Sequence, residues 1–325
     1  MTPATPSRRR FLAGAATAAA YGGLTLTAAR GRPQPAATPA APAPVPPPTG
    51  PLPQGLQLQR LNEHLWVLSG AGGNIAMHVR DECVLVVDGG IPDRARDVVA
   101  VLRQLAPDTT PRQKWLVNTH YHFDHVGSNL PLAEAGFVVA GSAACRQRNT
   151  QRIVFDAFNV TLEPLPPLAL QTLLVPDTGL ELALPDRVRL LTFPPAHTDG
   201  DLVVVFEDDG ILHTGDLLFS GMFPVIDRQV GGSLEGMIRA TRRLLEITDA
   251  RTRIIPGHGP VSGRDDLHRT LGMLEQVRER LTPFARRGAD VAEVTAARPL
   301  ADLEPVWGRG VINAELFLRM AYPLD

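Results

Sequence analysis

The segment Asn118-Thr119-His120-Tyr121-His122-Phe123-Asp124-His125 limits what this chain can fold into more than any other stretch, because four metal-binding side chains fall within six residues. His120 and His122 are two apart, so an extended or tight-loop backbone turns both to one side. Asp124 and His125 then face a second position. On a regular helix the four would splay around the axis. The segment therefore reads as a loop leaving a short strand at 115–118, and the fold has to bring further ligands to that strand end.

Three other places supply them: Ala196-His197-Thr198-Asp199-Gly200-Asp201, Thr214-Gly215-Asp216 and Pro256-Gly257-His258-Gly259. Each sets a His or Asp after an apolar run at the end of a predicted strand, with Gly beside it so that the backbone can turn sharply. Imidazole and carboxylate together suit zinc, and iron, manganese or cobalt also accept them.

The rest of the chain supports a folded α/β protein behind an N-terminal extension. Of 325 residues, 44% are hydrophobic and 20% charged, an ordinary composition for a domain with a substantial core. A net charge of -2 gives no electrostatic footprint for nucleic acid. Residues 1–31 contain Ser7-Arg8-Arg9-Arg10-Phe11-Leu12 and then a weakly apolar Ala, Gly and Thr stretch. This pattern resembles a twin-arginine export signal, with a general secretory signal or a membrane anchor as the alternatives. Residues 32–54 are rich in Pro and Ala, which remove backbone donors and keep a chain extended and solvated, as in a linker. Strands are expected at 65–69, 74–80, 83–88, 115–118, 137–140, 187–193, 202–207, 211–214 and 253–255. Helices are expected at 92–105, 130–135, 142–158, 233–247 and 265–281, with a loop around 164–167. Strands and helices thus come in two runs, each run ending in ligand residue types, which fits a layered α/β fold with a site along one edge. Cys83 and Cys145 read as small buried hydrophobes. His213 reads as a core residue, and His64 and His268 as solvent-facing.

The joint pattern HxHxDH, then His, Asp and His, resembles the metallo-β-lactamase superfamily over about residues 60 to 262. The resemblance implies a four-layer αββα sandwich spanning 55–262, followed by a C-terminal helical extension at 263–325. It also implies that His120, His122 and His197 hold one metal, that Asp124, His125 and His258 hold the second, and that Asp216 bridges them. Asp88, closing the run Val86-Val87-Asp88, matches an acid that orients a ligand or a loop. Two zinc ions per chain are expected, with iron or manganese as alternatives. A metal-bridging hydroxide would be the nucleophile, with Asp124 as its hydrogen-bond acceptor and catalytic residue. Two ions at +4 against Asp124, Asp216 and hydroxide at -3 leave the site at net +1, which favours small anionic substrates.

The expected reaction is hydrolysis of an activated carbonyl: an ester, thioester, lactone or β-lactam. Asp at 216 resembles the thioesterase and lactonase branches, since true β-lactamases usually have Cys or Ser there. Phe219, Met222 and Phe223, in the apolar loop after Asp216, should line the substrate pocket. Arg278, Arg280, Arg286 and Arg287 could mimic the basic residues of glutathione-conjugate thioesterases, or simply form a solvated face. The alternatives are a mononuclear iron persulfide dioxygenase and a non-catalytic metal-binding accessory protein. The expected partners are a small molecule and the twin-arginine machinery, with no nucleic acid and no stable membrane insertion after processing. The expected location is periplasmic or secreted.

Overall fold

The computed structural model describes residues 50–107, 112–155, 158 and 160–324. The export-signal reading and most of the Pro-rich linker fall outside these residues. In chain order, β1 (Gln57–Arg60), β2 (Leu65–Ser69), β3 (Ile75–Val79), β4 (Cys83–Val87), β5 (Gln113–Val117) and β6 (Val138–Ser142) form most of one sheet. A hairpin of β7 (Ile153–Phe155) and β8 (Val160–Leu162) follows, and β9 (Leu173–Val175) completes the first sheet beside β6. The second sheet holds, in spatial order, β10 (Leu180–Leu182), β11 (Val188–Thr192), β12 (Leu202–Phe206), β13 (Ile211–Phe219), β14 (Arg253–His258) and β15 (Ser262–Gly263).

The two-residue period of the strands sorts their side chains into layers. Leu65, Val67, Leu85, Val87 and Val117 face Leu202, Val204, Phe206, Ile211 and Ile255, forming the core between the sheets. Their neighbours Trp66, Leu68, Val84, Val86 and Leu116 point the other way. There they meet α1 (Ala95–Leu105) through Val98, Val101, Leu102 and Leu105, and Leu132 of α3 (Asn129–Glu134), which follows the short α2 (Phe123–Val126). On the outer face of the second sheet, Val203, Val205, Leu212 and Ile254 pack against α5 (Leu234–Glu246) and α6 (Arg264–Arg286). The result is a four-layer αββα sandwich, with the central strands of both sheets buried on both faces and therefore almost continuously apolar. Three shorter C-terminal helices, α7 (Val291–Ala297), α8 (Glu304–Trp307) and α9 (Ala314–Ala321), share that outer core through Val294, Trp307, Phe317 and Leu318.

Four local expectations are corrected. The helix expected over 142–158 is only α4 (Ala143–Asn149), capped by the Ser142 hydroxyl accepting from the Cys145 amide at 3.0 Å. The chain then turns into β7, where Ile153, Val154 and Phe155 favour a strand. The 211–214 strand runs on through Asp216 to Phe219, its pairing with β14 interrupted by register shifts around Gly215. β1, paired antiparallel with β2, has no counterpart among the expected strands. His64 is buried rather than solvent-facing, since its Nε2 lies 3.0 Å from Asp209 Oδ2. His268 is exposed and Cys83, Cys145 and His213 are buried.

Candidate metal centre

The seven residues singled out as ligands lie together at one end of the strands. Asp88 directly follows β4; the segment expected to be a loop over 118–125 is one only as far as His122, and Asp124 and His125 lie in the helical turn α2. His197 sits in the β11–β12 connection, Asp216 in β13, and His258 ends β14. Two features hold the sheets in register at this end. The Asn74 side chain donates to the carbonyls of Pro256 and Gly259, each at 2.8 Å, tying the β2–β3 turn to the His258 turn. Gly257 is needed for close approach, because a Cβ there would run into Asp216 Oδ1.

The ligand atoms fall into two groups. His120, His122, His197 and Asp216 form one, all buried; Asp124, His125 and His258 form the other, in which Asp124 and His258 are half-exposed. Asp216 reaches both, with Oδ2 3.5 Å from His197 Nε2 and Oδ1 3.1 Å from His125 Nε2. His258 Nε2 lies 3.2 Å from Asp124 Oδ2 and 3.5 Å from Asp216 Oδ2.

The partners on the far side of each ring decide where the imidazole protons sit. His197 Nδ1 is 2.8 Å from the Val225 carbonyl, which can only accept, so Nδ1 donates and Nε2 is left with a lone pair. His122 Nε2 faces the Asp227 carboxylate at 3.1 Å, leaving the lone pair on Nδ1. Those two lone pairs meet at 3.0 Å. His125 Nδ1 donates to Asp88 at 2.8 Å and its Nε2 faces Asp216 at 3.1 Å; burial works against the charged ring, but Asp216, Asp88 and Asp124 outweigh it and raise this imidazole well above its ordinary range. The Thr119 hydroxyl donates to Asp88 at 2.8 Å and so accepts from His120 Nδ1 at 3.0 Å, which leaves His120 Nε2 bare. That Nε2 and Asp216 Oδ1 are buried without a hydrogen-bond partner. Lone pairs and carboxylate oxygens thus converge on a small volume, an arrangement that needs a cation there. The donor set fits divalent metal.

The electrostatics separate the two groups, holding His120 and His197 neutral and favouring the charged form of His125 and His258. Burial is the largest influence on every one of these groups. It carries His197 down to about 4 and holds His120 well below the ordinary range. For His258 the carboxylates of Asp216 and Asp124 outweigh burial and bring it up to about 9. For Asp124, the neighbouring His125 and His258 outweigh burial and bring it down to about 2, so its carboxylate is ionised.

Asp88 supports two elements at once, receiving the Thr119 amide at 2.8 Å besides the Thr119 hydroxyl and His125. It does so from a left-handed conformation, φ 65°, that a non-glycine residue rarely adopts. Sequence reasoning missed two further supports. Asp227 takes the Tyr121 hydroxyl as well as His122 Nε2. Asp201 accepts from the His197 and Thr198 amides at 2.9 and 3.1 Å and fixes the turn that presents His197. An acid placed after the apolar pair Val225-Ile226 is the only sequence signal for Asp227.

Beside the site lies a cavity of about 560 Å³, reached by His122, Asp124, Asp216 and His258 and lined by Phe219, Met222 and Phe223. The arginines considered as substrate contacts are elsewhere: Arg278 pairs with Glu235, Arg280 with Asp302 and Arg287 with Glu293. Arg286 does not line the cavity either.

Comparison with known proteins gives the following. The family model described as the metallo-beta-lactamase superfamily matches residues 68–258. The chain is 27% identical over 216 residues to the acyl-coenzyme A thioesterase MBLAC2 of Gallus gallus, covering 62% of this chain and 77% of that protein. It is 33% identical over 144 residues to a hydroxyacylglutathione hydrolase of Methylococcus capsulatus, covering 44% of this chain and 47% of that protein, just under half its length. A solved metallo-beta-lactamase from Pontibacter korlensis matches with a TM-score of 0.54 at 18% identity, over 68% of this chain and 99% of that one. At that identity the likeness is one of fold.

Proposed function

Since this chain belongs to the metallo-beta-lactamase superfamily and is a metal-dependent hydrolase, we propose that it uses two zinc ions to cleave an activated carbonyl, in an ester, thioester or lactone. The observation that carries the reading is the convergence of imidazole nitrogens and carboxylate oxygens on two positions that share Asp216. His120, His122 and His197 would hold one ion, Asp124, His125 and His258 the other, with Asp216 between. When bound, such a pair lowers the pKa of water toward about 7 and polarises the carbonyl under attack.

The chain's own residues do the rest. Asp227, the Val225 carbonyl, Asp88 and Thr119 fix which nitrogen of each imidazole faces inward. Asp124, ionised and lining the cavity, accepts the hydrogen of the attacking water. The names of the two relatives, an acyl-coenzyme A thioesterase and a hydroxyacylglutathione hydrolase, favour carbonyl over phosphoryl substrates. A panel of a nitrophenyl ester, a thioester, a lactone, a cephalosporin and bis-nitrophenyl phosphate tests this. Carbonyl substrates are expected to turn over, with loss on chelation and return with zinc; cleavage of the phosphodiester alone would sink the reading.

We further propose export through the twin-arginine machinery, on the strength of Arg8, Arg9, Phe11 and Leu12. Arg8→Lys with Arg9→Lys keeps the charge and should block export; normal periplasmic delivery of that variant would point to a different signal.

A further inference from the structure

The cavity beside the metal centre draws most of its apolar wall from three separate parts of the chain, with Ile91 and Phe123 completing it. The β7–β8 hairpin gives Phe155, Phe158 and Val160; the stretch from the end of β13 gives Phe219, Met222 and Phe223; the connection between α8 and α9 gives Val311 and Ile312. Among the described lining residues there is no Lys or Arg, and the charge-bearing ones are the ligand residues themselves. Among the described residues, attraction for an anion therefore comes from the metal centre and not from a Lys or Arg of the wall.

The apolar wall begins at the ligands. Phe155 stacks on His122 at 5.1 Å between ring centroids, and Phe219 stacks on His258 at 5.0 Å. With the carbonyl at the metals, the carbons next to it are the first to meet this wall. The far wall is fixed in place: the Phe223 amide donates to the Trp307 carbonyl at 2.8 Å, and Gly310 is so close to Met222 that a Cβ would lie 2.9 Å from Sδ. Val311, 82% exposed, is an apolar side chain left in water at the edge of the cavity, where a ligand could cover it.

We propose that this cavity is an acyl subsite for an uncharged, apolar acyl group, and that Val311 and Ile312 set the acyl length it accepts. The proposal rests on the carbonyl-hydrolase reading and narrows it. The leaving group departs toward solvent, and the acyl carbons fill the pocket. At 560 Å³ the cavity is mid-range for small-molecule sites, which corresponds to an acyl group of roughly six to twelve carbons.

The test is a nitrophenyl ester series from acetyl to dodecanoyl, run beside calorimetric binding of the matching alkanoates to the zinc-loaded protein. Both kcat/KM and alkanoate affinity should rise about three- to fourfold per methylene until the pocket is full, then level off. In Val311→Asp, whose side chain is exposed and so spares the fold, the octanoyl-to-acetyl ratio should fall roughly tenfold. Turnover with no chain-length dependence in either series, or a preference for a succinyl over a hexanoyl ester, overturns the subsite. If no ester is cleaved yet alkanoates bind with the expected slope, the subsite stands and the reaction assigned to the centre is wrong.

Discussion

At each end of the sandwich strands lies a group of histidines and aspartates. Where β3 gives way to Arg80, the rings of His64 and His78 meet edge to face at 4.9 Å. His64 Nε2 faces Asp209 at 3.0 Å, and His78 Nε2 lies 2.9 Å from Asp186, close enough for an ion pair though off the line of a hydrogen bond. The Arg80 guanidinium grips Asp186 with two bonds of 2.7 and 2.8 Å. By its residue types this group could hold a metal as readily as the other. The difference lies in the bookkeeping of protons and charge. At the Arg80 end each imidazole turns a nitrogen toward its own carboxylate, and an arginine supplies the positive charge. At the Asp216 end the protons point outward to Val225, Asp227, Asp88 and Thr119, and bare nitrogens face one another. Density of histidine and aspartate therefore does not make a metal site. What makes one is a surrounding shell that turns imidazole nitrogens and carboxylate oxygens toward one another and sets no arginine among them.

The comparison can be broken most forcefully at the bridge. Asp216→Asn keeps the shape but removes the shared charge; zinc content should fall below two per chain and turnover drop about a thousandfold. Asp209→Asn, at the other end, should leave both at wild-type values. Atomic absorption and steady-state rates on the two variants decide it. Next in size is Asp88→Asn, which weakens the orientation of His125 and Thr119 together; zinc affinity should fall about 10–100-fold by chelator competition.

Arg80→Ala asks the same question of the other cluster. Removing the guanidinium leaves Asp186 without its cation, and stability to urea should fall by about 2 kcal/mol. It should also free His64, His78 and Asp209 to take up an ion, so that added zinc raises the melting temperature of this variant more than that of the wild type.

The smallest effect is a pH dependence. Burial works to raise the Asp186 carboxyl, but His78 and Arg80 outweigh it and hold it well below the usual carboxylate range. A depressed folded pKa stabilises the protein above the unfolded value, about 4, and that contribution is lost as pH falls toward the folded value. The stability gap between wild type and Asp186→Asn should thus be constant from about pH 5 to 7 and narrow below about pH 4. A gap that widened in acid would contradict the pairing.

What the sequence revealed and what it hid follow from the same physics. The layers were legible because short, nearly continuous apolar runs must be buried on both faces, and the candidate ligands because His and Asp cluster after such runs. Phe219, Met222 and Phe223 could be placed at the cavity because they follow Asp216 directly. The partners that orient the ligands were not legible. Asp227 lies 105 residues from His122, and Asp186, in Pro185-Asp186-Arg187, looks like any turn acid until the fold sets it beside His78. The β7–β8 hairpin and residues 310–312 reach the cavity only through tertiary packing, so half its wall had no local signal. The helix expected beyond α4 gives way where the β-branched and aromatic run Ile153–Phe155 finds a partner strand in β8 and a buried place for Phe155.

The central claim is that the converging imidazole nitrogens and carboxylates form two metal positions sharing one carboxylate. Titration of metal-free protein with zinc, followed by calorimetry and by turnover of a carbonyl ester, tests it most directly. Two equivalents should bind tightly, and full turnover should appear only as the second is filled. A single equivalent that supports full turnover, or full activity with one iron and no zinc, would contradict it.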